Sequence, residues 1–255
     1  MLLGDLEHLA IDKQSMAFPQ HYHETYCISL IKTGIEQIQL EGKSIFSEKG
    51  TISITNPYEI HSNPLVNQEG PLDFDTIYIP EDVMRFFSNG KNNVILNRQI
   101  TDGKVIALFN HLKDAMCTHD PKKIEDAVAP FIKSILDKGK TEGKDRLQID
   151  FKDFDHINHY IKENITETFY LDTLSRMAHM NKYGFAKKFK AFTGMTPINY
   201  ILMKKVFHSK TVITSDTELT QIAYDYGFSD LSHFSNTFKR FVGVSPKVYR
   251  NNLSH

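Results

Sequence analysis

The sequence of 255 residues contains no tryptophan and only two cysteines, Cys27 and Cys117. They are far apart and neither has a Cys-x-x-Cys partner, which excludes a disulfide framework and a thiolate metal site of the usual spacing. The longest apolar runs are far shorter than the roughly 20 residues that a membrane helix needs. No basic cluster precedes an apolar stretch at the start of the sequence, so no secretory signal is recognised and a cytoplasmic location is expected.

Composition and length point to an ordinary folded protein with two domains. Hydrophobic residues make up 40% of the chain and charged residues 24%, values that exclude a disordered or collagen-like chain. The length is sufficient for two domains of roughly 100 to 150 residues. The composition changes at the Gly- and Lys-containing stretch 138–144, so we expect a first domain over 1–140, a linker over 141–149 and a second domain over 150–255.

The formal net charge of -1 hides an asymmetry between the two halves. Residues 1–140 contain 14 Lys and Arg against 19 Asp and Glu, whereas residues 141–255 contain 16 against 12, giving -5 and +4. Four of the lysines fall within ten residues: Lys182, Lys187, Lys188 and Lys190. A basic second half favours a polyanionic partner such as nucleic acid, and a solvated surface is the alternative.

The sequence pattern of the first half predicts short strands followed by helices. Between residues 21 and 78, segments rich in Ile, Thr, Tyr and Ser alternate with turn signals, which is typical of an all-β sandwich or barrel. Residues 104–116 and 122–136 then carry apolar side chains at three-to-four spacing, which predicts two amphipathic helices. Their apolar stripes are either ordinary core or a dimer interface, and the pattern alone leaves both possibilities open.

The second half contains an internal repeat. Residues 185–200 and 234–249 share the pattern F-x-x-x-F-K-x-F-x-G-x-[ST]-P-x-x-Y. Each copy is preceded by an amphipathic helical pattern and a tight turn, at His179 in the first copy and at Gly227 in the second. This arrangement predicts two helix-turn-helix units, with a plain helical packing motif as the alternative reading.

Residues 171–200 and 222–250 closely resemble the DNA-binding domain of the AraC/XylS family of transcriptional regulators. Residues 18–80 resemble, more weakly, the cupin-type effector domain of that family, through His21-Tyr-His-Glu-Thr-Tyr26 and Asn56-Pro-Tyr-Glu-Ile-His61. The resemblance implies an α+β fold of two domains. The first is a cupin-like β-barrel with two following helices for effector binding and dimerisation, and the second is an all-α DNA-binding domain with two helix-turn-helix units.

The resemblance further implies that residues 181–190 and 230–239 are recognition helices that enter successive major grooves. In the first helix the expected DNA-binding residues are Lys182, Tyr183, Ala186, Lys187 and Lys190. In the second helix they are Leu231, Ser232, Ser235 and Asn236. We expect Lys187 to contact guanine, Lys190 a phosphate, Asn236 adenine and Leu231 a thymine methyl group, while Phe185 and Phe189 belong to the core.

Three histidines of the predicted barrel, His21, His23 and His61, allow three interpretations: a metal site, structural histidines, or the lining of an organic effector pocket. Cupin-type enzymes add a glutamate a few residues after the His pair, but Cys27 and Ile28 occupy those positions. We therefore expect an effector site without metal or other cofactor, formed by these residues: His21, His23, Cys27, His61 and Tyr78.

Together these observations predict a sequence-specific DNA-binding transcriptional regulator, controlled by a small-molecule effector in the N-terminal barrel and without catalytic activity. The alternative is a metal-dependent cupin enzyme tethered to a DNA-binding domain. The expected partners are double-stranded DNA, the effector, a second copy of the chain that dimerises through residues 104–138, and RNA polymerase. No membrane partner is expected.

Overall fold

The structure is a computed structural model that describes residues 6–66, 71–92, 94–138 and 153–253. The chain divides into two compact units, Met1–Ser15 with Tyr22–Leu147 and Met16–His21 with Gln148–His255. The strand Phe18–His21 is described with the first unit because it is hydrogen-bonded into one of that unit's sheets. The expected linker over 141–149 lies outside the described residues, so the boundaries near 140 and 150 stay predictions.

Two β-sheets form the larger part of the described first unit. One has the strand order β1-β8-β3-β6-β9 and the other the order β2-β7-β4-β5. The strands are β1 Glu7–Gln14, β2 Phe18–His21, β3 Thr25–Thr33, β4 Ile35–Leu40, β5 Lys43–Glu48, β6 Ile52–Thr55, β7 His61–Asn63, β8 Leu72–Pro80 and β9 Gln99–Ile100. The predicted all-β region is confirmed, and β1 and β9 extend it beyond residues 21–78.

Three helices accompany these sheets: α1 Glu81–Phe87, α2 Gly103–Cys117 and α3 Pro121–Asp137. The two predicted helices are confirmed to within one residue at each end, whereas α1 was not predicted. Helix α2 begins at Asp102, whose side chain accepts hydrogen bonds from two backbone N–H groups of the first turn, and α3 begins in the same way at Asp120. Such caps satisfy donors that have no partner within a helix.

The apolar stripes of α2 and α3 are core rather than an exposed interface. Phe109 and Phe131 are fully buried and meet edge to face at a ring distance of 5.8 Å. Leu112 and Ile132 are also fully buried in the same cluster as the sheet isoleucines. Of the two interpretations, core and dimer interface, the structure therefore supports core packing for these apolar stripes.

The central strands of the five-stranded sheet are buried on both faces, and the two faces differ in chemistry. One face packs against the helices and carries isoleucines in register on three strands: Ile28, Ile54 and Ile77. The other face carries buried hydroxyl side chains at the neighbouring positions of the same strands, where Ser29 is paired with both Ser53 and Thr76. Since paired residues share a face, the sheet presents an apolar side to the helices and a polar side to the interior of the unit.

The described part of the second unit is helical. Its helices are α4 Asp155–Glu163, α5 Leu171–Met177, α6 Lys182–Thr193, α7 Pro197–Lys210, α8 Leu219–Asp225, α9 Leu231–Val242 and α10 Pro246–Leu253. Helices α5 and α6 form the first helix-turn-helix unit, and α8 and α9 form the second. Among the described helices of the whole chain, none has the length and apolar character required to cross a membrane.

The repeated sequence pattern has a physical meaning at each of its fixed positions. The phenylalanines spaced by four, Phe185 with Phe189 and Phe234 with Phe238, are fully buried. The glycine ends each recognition helix in the left-handed conformation, with φ of 70° at Gly194 and 92° at Gly243. The Ser or Thr that follows caps the next helix, and proline opens that helix, where its missing N–H has no partner to lose.

The turns inside both units also use the left-handed conformation, as the sequence suggested. His179 has φ of 53° and Gly227 has φ of 69°. The turn at Gly227 lies beside Lys205 of α7, whose ammonium group donates to the carbonyl oxygens of Glu167 at 2.7 Å and Tyr226 at 2.6 Å. Burial lowers the pKa of Lys205. Its two bonds hold the segment before the first helix-turn-helix unit and the turn of the second unit against α7.

Gly227→Ala is expected to lower the free energy of unfolding by about 1 to 2 kcal/mol, the usual penalty for a side chain in this conformation. A Cβ atom there would also lie 3.2 Å from Nζ of Lys205. Urea unfolding of the full chain, followed by circular dichroism, measures the change.

The matched control is Gly184→Ala, in a recognition helix where a Cβ would meet nothing closer than 3.4 Å. This change is expected to raise stability by up to about 1 kcal/mol. An equal loss in both variants would contradict the assignment of Gly227 to a strained turn.

Candidate functional site

The first recognition helix, α6, separates its apolar and polar residues cleanly. Asn181 caps the helix by accepting a hydrogen bond from the backbone N–H of Gly184 at 2.8 Å. Phe185 and Phe189 face the core, as predicted. Of the residues expected to contact DNA, four are exposed and Ala186 is half-buried; the exposed ones are Lys182, Tyr183, Lys187 and Lys190.

The four lysines of α6 differ in what holds their ammonium groups. Lys182 forms an ion pair with Asp172 at 2.8 Å, and Lys188 forms one with Asp153 at 2.8 Å. Lys188 also lies over the ring of Phe154, 5.8 Å from its centre. The described residues provide no ion pair for Lys187 or Lys190, so these two lysines present their charge to solvent from an ordered helix.

The second recognition helix, α9, presents smaller polar groups. Leu231, Ser232 and Asn236 are exposed, and Ser235 is half-buried. Asp230 caps the helix through a bond from the N–H of His233 at 2.7 Å, and this bond holds the pKa of Asp230 below its ordinary value. His233 is itself exposed on this helix and is a candidate contact that is absent from the set implied by the family resemblance.

The three barrel histidines come together in the folded chain. His21 ends β2, His61 begins β7 and His23 lies in the short connection after β2, and one ring nitrogen of each lies within 4.8 Å of the others. The ring of His23 is 5.4 Å from that of His61 and 5.4 Å from that of Tyr78. Tyr78 is paired in register with Cys27. Four of the five predicted effector residues, His21, His23, His61 and Tyr78, therefore lie close together. The fifth, Cys27, lies opposite Tyr78 on the neighbouring strand.

Backbone carbonyl groups orient two of the histidines. Nδ1 of His21 lies 2.7 Å from the carbonyl oxygen of Pro19, and Nδ1 of His61 lies 2.8 Å from that of Glu59. Because a carbonyl oxygen can only accept, Nδ1 is the donor in each pair, and Nε2 is then the nitrogen with the lone pair. Burial lowers the pKa of His61 to about 4, and the charge of Arg98 adds to this effect, so the ring is neutral at pH 7.

The turn before His61 is fixed by a buried ionic network that sequence reasoning missed. Arg98 donates two bonds to the carboxylate of Glu59, at 2.8 and 2.7 Å. The same carboxylate accepts from the backbone N–H of Asn56 at 2.9 Å, and the side chain of Asn56 bonds to the backbone of Leu96. Glu59 is only 3% exposed. These bonds fix the position of Glu59, whose backbone carbonyl oxygen orients His61.

A second buried acid lies on the four-stranded sheet. Glu36 in β4 accepts a hydrogen bond from the side chain of Asn63 in β7 at 3.1 Å. Burial raises the pKa of Glu36 above its ordinary value. Nothing in the sequence identified Glu36 as a buried residue.

Residues 3–134 match the family model of the AraC-like ligand-binding domain, and residues 174–252 match that of a helix-turn-helix domain. The fold and both sites therefore define a two-domain transcriptional regulator that joins a ligand-binding domain to a DNA-binding domain. The chain belongs to the AraC family.

Similar proteins carry names of the same kind. The probable transcriptional regulator LumQ of Photobacterium leiognathi is 24% identical over 233 residues, which cover 90% of this chain and 91% of LumQ. The MmsAB operon regulatory protein of Pseudomonas aeruginosa is 29% identical over 99 residues, or 38% of this chain and 32% of that protein. The solved structure of ToxT from Vibrio cholerae has the same fold, with a TM-score of 0.61 at 17% identity over 97% of both chains.

Glu36→Gln is expected to stabilise the protein at neutral pH. The unfolded chain ionises Glu36 at its ordinary pKa of 4.5, whereas the folded chain holds the proton to higher pH. Glutamate therefore reduces stability increasingly as the pH rises above that value, and the gain from glutamine grows over the same range. Urea unfolding at about pH 4 and at about pH 7 measures the two differences.

Glu48→Gln on the neighbouring strand β5 is the control, because Glu48 is exposed. It is expected to leave stability nearly unchanged at both pH values. A gain from Glu36→Gln that does not vary with pH would show that Glu36 ionises normally in the folded chain.

Proposed function

We propose that this regulator reads double-stranded DNA with α6 and α9 together, and that a ligand in the polar interior of the first unit changes its affinity for DNA. The observation that carries the proposal is the twice-repeated helix-turn-helix unit with its polar residues outward and its phenylalanines buried. Two recognition helices that are built alike and fastened to one central helix suit two successive major grooves.

The proposed contacts follow from chemistry and exposure. Lys187 would donate to a guanine edge and Lys190 to a phosphate, with Lys182, Tyr183 and Ala186 completing the contact surface of α6. On α9, Asn236 would pair with adenine and Leu231 would touch a thymine methyl group, with Ser232 and Ser235 beside them. The solvent-facing charges of Lys187 and Lys190 support these two roles, since neither side chain has to leave a protein partner.

The proposed effector site comprises His21, His23, Cys27, His61 and Tyr78. Imidazole, thiol and phenol groups offer donors and acceptors, and the nearby sheet face adds the hydroxyl groups of Ser29 and Thr76, which are 2.7 Å apart. One structure of ToxT holds an unsaturated fatty acid. The hydroxyl-bearing interior of the present chain suits a small polar ligand better than a long acyl chain.

Control by such a ligand requires two states of the regulator with different affinities for it. A ligand that binds both states equally shifts nothing, however tightly it binds. A coupling of the usual size would change the affinity for DNA by about 5- to 150-fold. We therefore propose ligand-dependent DNA binding and no catalytic reaction, a role that would place the protein in the cytoplasm with the chromosome.

Homodimerisation and contact with RNA polymerase remain separate proposals. The buried stripes of α2 and α3 are occupied by the core, so a dimer would use the outer faces of these helices, where Ala107 and His111 are exposed. Sedimentation of the full chain, with and without DNA, measures the oligomeric state.

Three lysine variants of α6 test the proposed DNA contacts on binding sites selected from a random DNA library. Lys187→Ala is expected to relax specificity at one base position by about 1 to 3 kcal/mol. Lys190→Ala is expected to weaken all sites alike and to reduce the salt slope by about one unit. Fluorescence anisotropy at several salt concentrations measures both quantities.

The matched control is Lys188→Ala, which removes the same charge from the same helix. Its ammonium group is already paired with Asp153 and lies over Phe154, so this change is expected to affect DNA affinity much less. An equal and sequence-blind loss in all three variants would refute the assignment of Lys187 and Lys190.

A further inference from the structure

The histidine cluster defined by His21, His23 and His61 has the composition of a metal site. Each residue offers one imidazole nitrogen, and the three nitrogens lie within 4.8 Å of one another. His21 and His61 are each only 3% exposed. His21 and His61 lie on the adjacent strands β2 and β7, and the carbonyl oxygen of His23 accepts a hydrogen bond from the backbone N–H of Tyr58 at 2.8 Å. Backbone hydrogen bonds therefore position the segments that carry all three histidines.

The orientation of the rings supports the same conclusion. His21 and His61 each direct Nδ1 to a backbone carbonyl oxygen, which assigns the proton to Nδ1 and the lone pair to Nε2. Metal-bound histidines are oriented in this way by a hydrogen bond from their other ring nitrogen to a carboxylate or carbonyl oxygen. The carbonyl that orients His61 belongs to Glu59, which is in turn fixed by its bidentate bond with Arg98.

The donor set also indicates the kind of ion. Neutral imidazole nitrogens suit Zn²⁺, Ni²⁺, Cu²⁺ and Fe²⁺, whereas Mg²⁺ and Ca²⁺ take oxygen ligands. Arg98, whose charge acts on His61, forms an ion pair with the carboxylate of Glu59, and this pairing offsets part of its repulsion of a cation. Three protein ligands leave a further coordination position open, which is the arrangement of zinc sites that exchange a ligand.

We propose that His21, His23 and His61 bind one divalent transition-metal ion, with Zn²⁺ as the best match, and that this ion is the ligand sensed by the first unit. The assignment rests on the proposed function for its regulatory part, because it names the ligand class of the same site. The ion takes the place of the small polar ligand described under the proposed function, and it replaces the sequence-based expectation of an effector site without metal.

The test uses the full chain after removal of metal with a chelator. Co²⁺ serves as a spectroscopic probe, since its visible absorption reports nitrogen coordination, and calorimetric titration with Zn²⁺ gives the stoichiometry. We expect one ion per chain, a Co²⁺ spectrum typical of histidine ligands, and no binding of Mg²⁺. Zn²⁺ is also expected to change the affinity for a selected DNA site at least fivefold.

His23→Ala and His61→Ala are expected to weaken Zn²⁺ binding at least tenfold and to abolish the Co²⁺ spectrum. His23 is half-buried, so its variant is the one expected to fold normally, and circular dichroism checks this. His111→Ala is the matched control, because His111 is exposed on α2, and it should bind metal as the unchanged protein does.

Absence of binding, or binding that survives both histidine variants, would overturn the metal assignment. If Zn²⁺ binds but the affinity for DNA is the same with and without Zn²⁺, the sensing role would be overturned. Either failure is distinguishable from failure of the proposed function, because the lysine variants of α6 test DNA reading independently of any metal. If those variants behave as expected while metal does not bind, the proposed DNA-binding function is supported and the ligand belongs to another chemical class.

Discussion

The first unit depends on one constraint: the central strands of its five-stranded sheet are buried on both faces, and the two faces contact different neighbours. The isoleucine row that includes Ile28 and Ile77 packs against the helices, and burial of such side chains contributes most of the stability of a domain. In the opposite row, the hydroxyl groups of Ser29 and Thr76 bond to each other at 2.7 Å, which offsets the cost of burying these two side chains. A sheet of this kind supports a core on one side and the proposed ligand site on the other.

The second unit depends on a comparable constraint, the buried ammonium group of Lys205. Its hydrogen bonds to Glu167 and Tyr226 join the segment before the first helix-turn-helix unit to the turn of the second. Gly227 is required beside it, both for its left-handed backbone and for the space that Nζ occupies. The recognition helices are therefore parts of one packed body, which is the condition for reading two grooves with a fixed spacing.

Much of this was predictable from the sequence because the signals are local. Periodicity predicted α2 and α3, and the repeated pattern predicted both helix-turn-helix units and the left-handed turn at His179. The pairing of Arg98 with Glu59 was not predictable, since it joins residues distant in sequence and depends on the closed sheet. The ion pair of Lys188 with Asp153 was likewise not predictable, because it depends on a partner that only the folded chain brings near.

The most direct test of the central claim is selection of DNA by the full chain from a random library, followed by sequencing. If α6 and α9 act together, the selected sites will contain two blocks of preferred bases with centres about one helical turn, roughly 10 base pairs, apart. Selection of a single block, or of no preferred sequence, would contradict the account of two cooperating recognition helices.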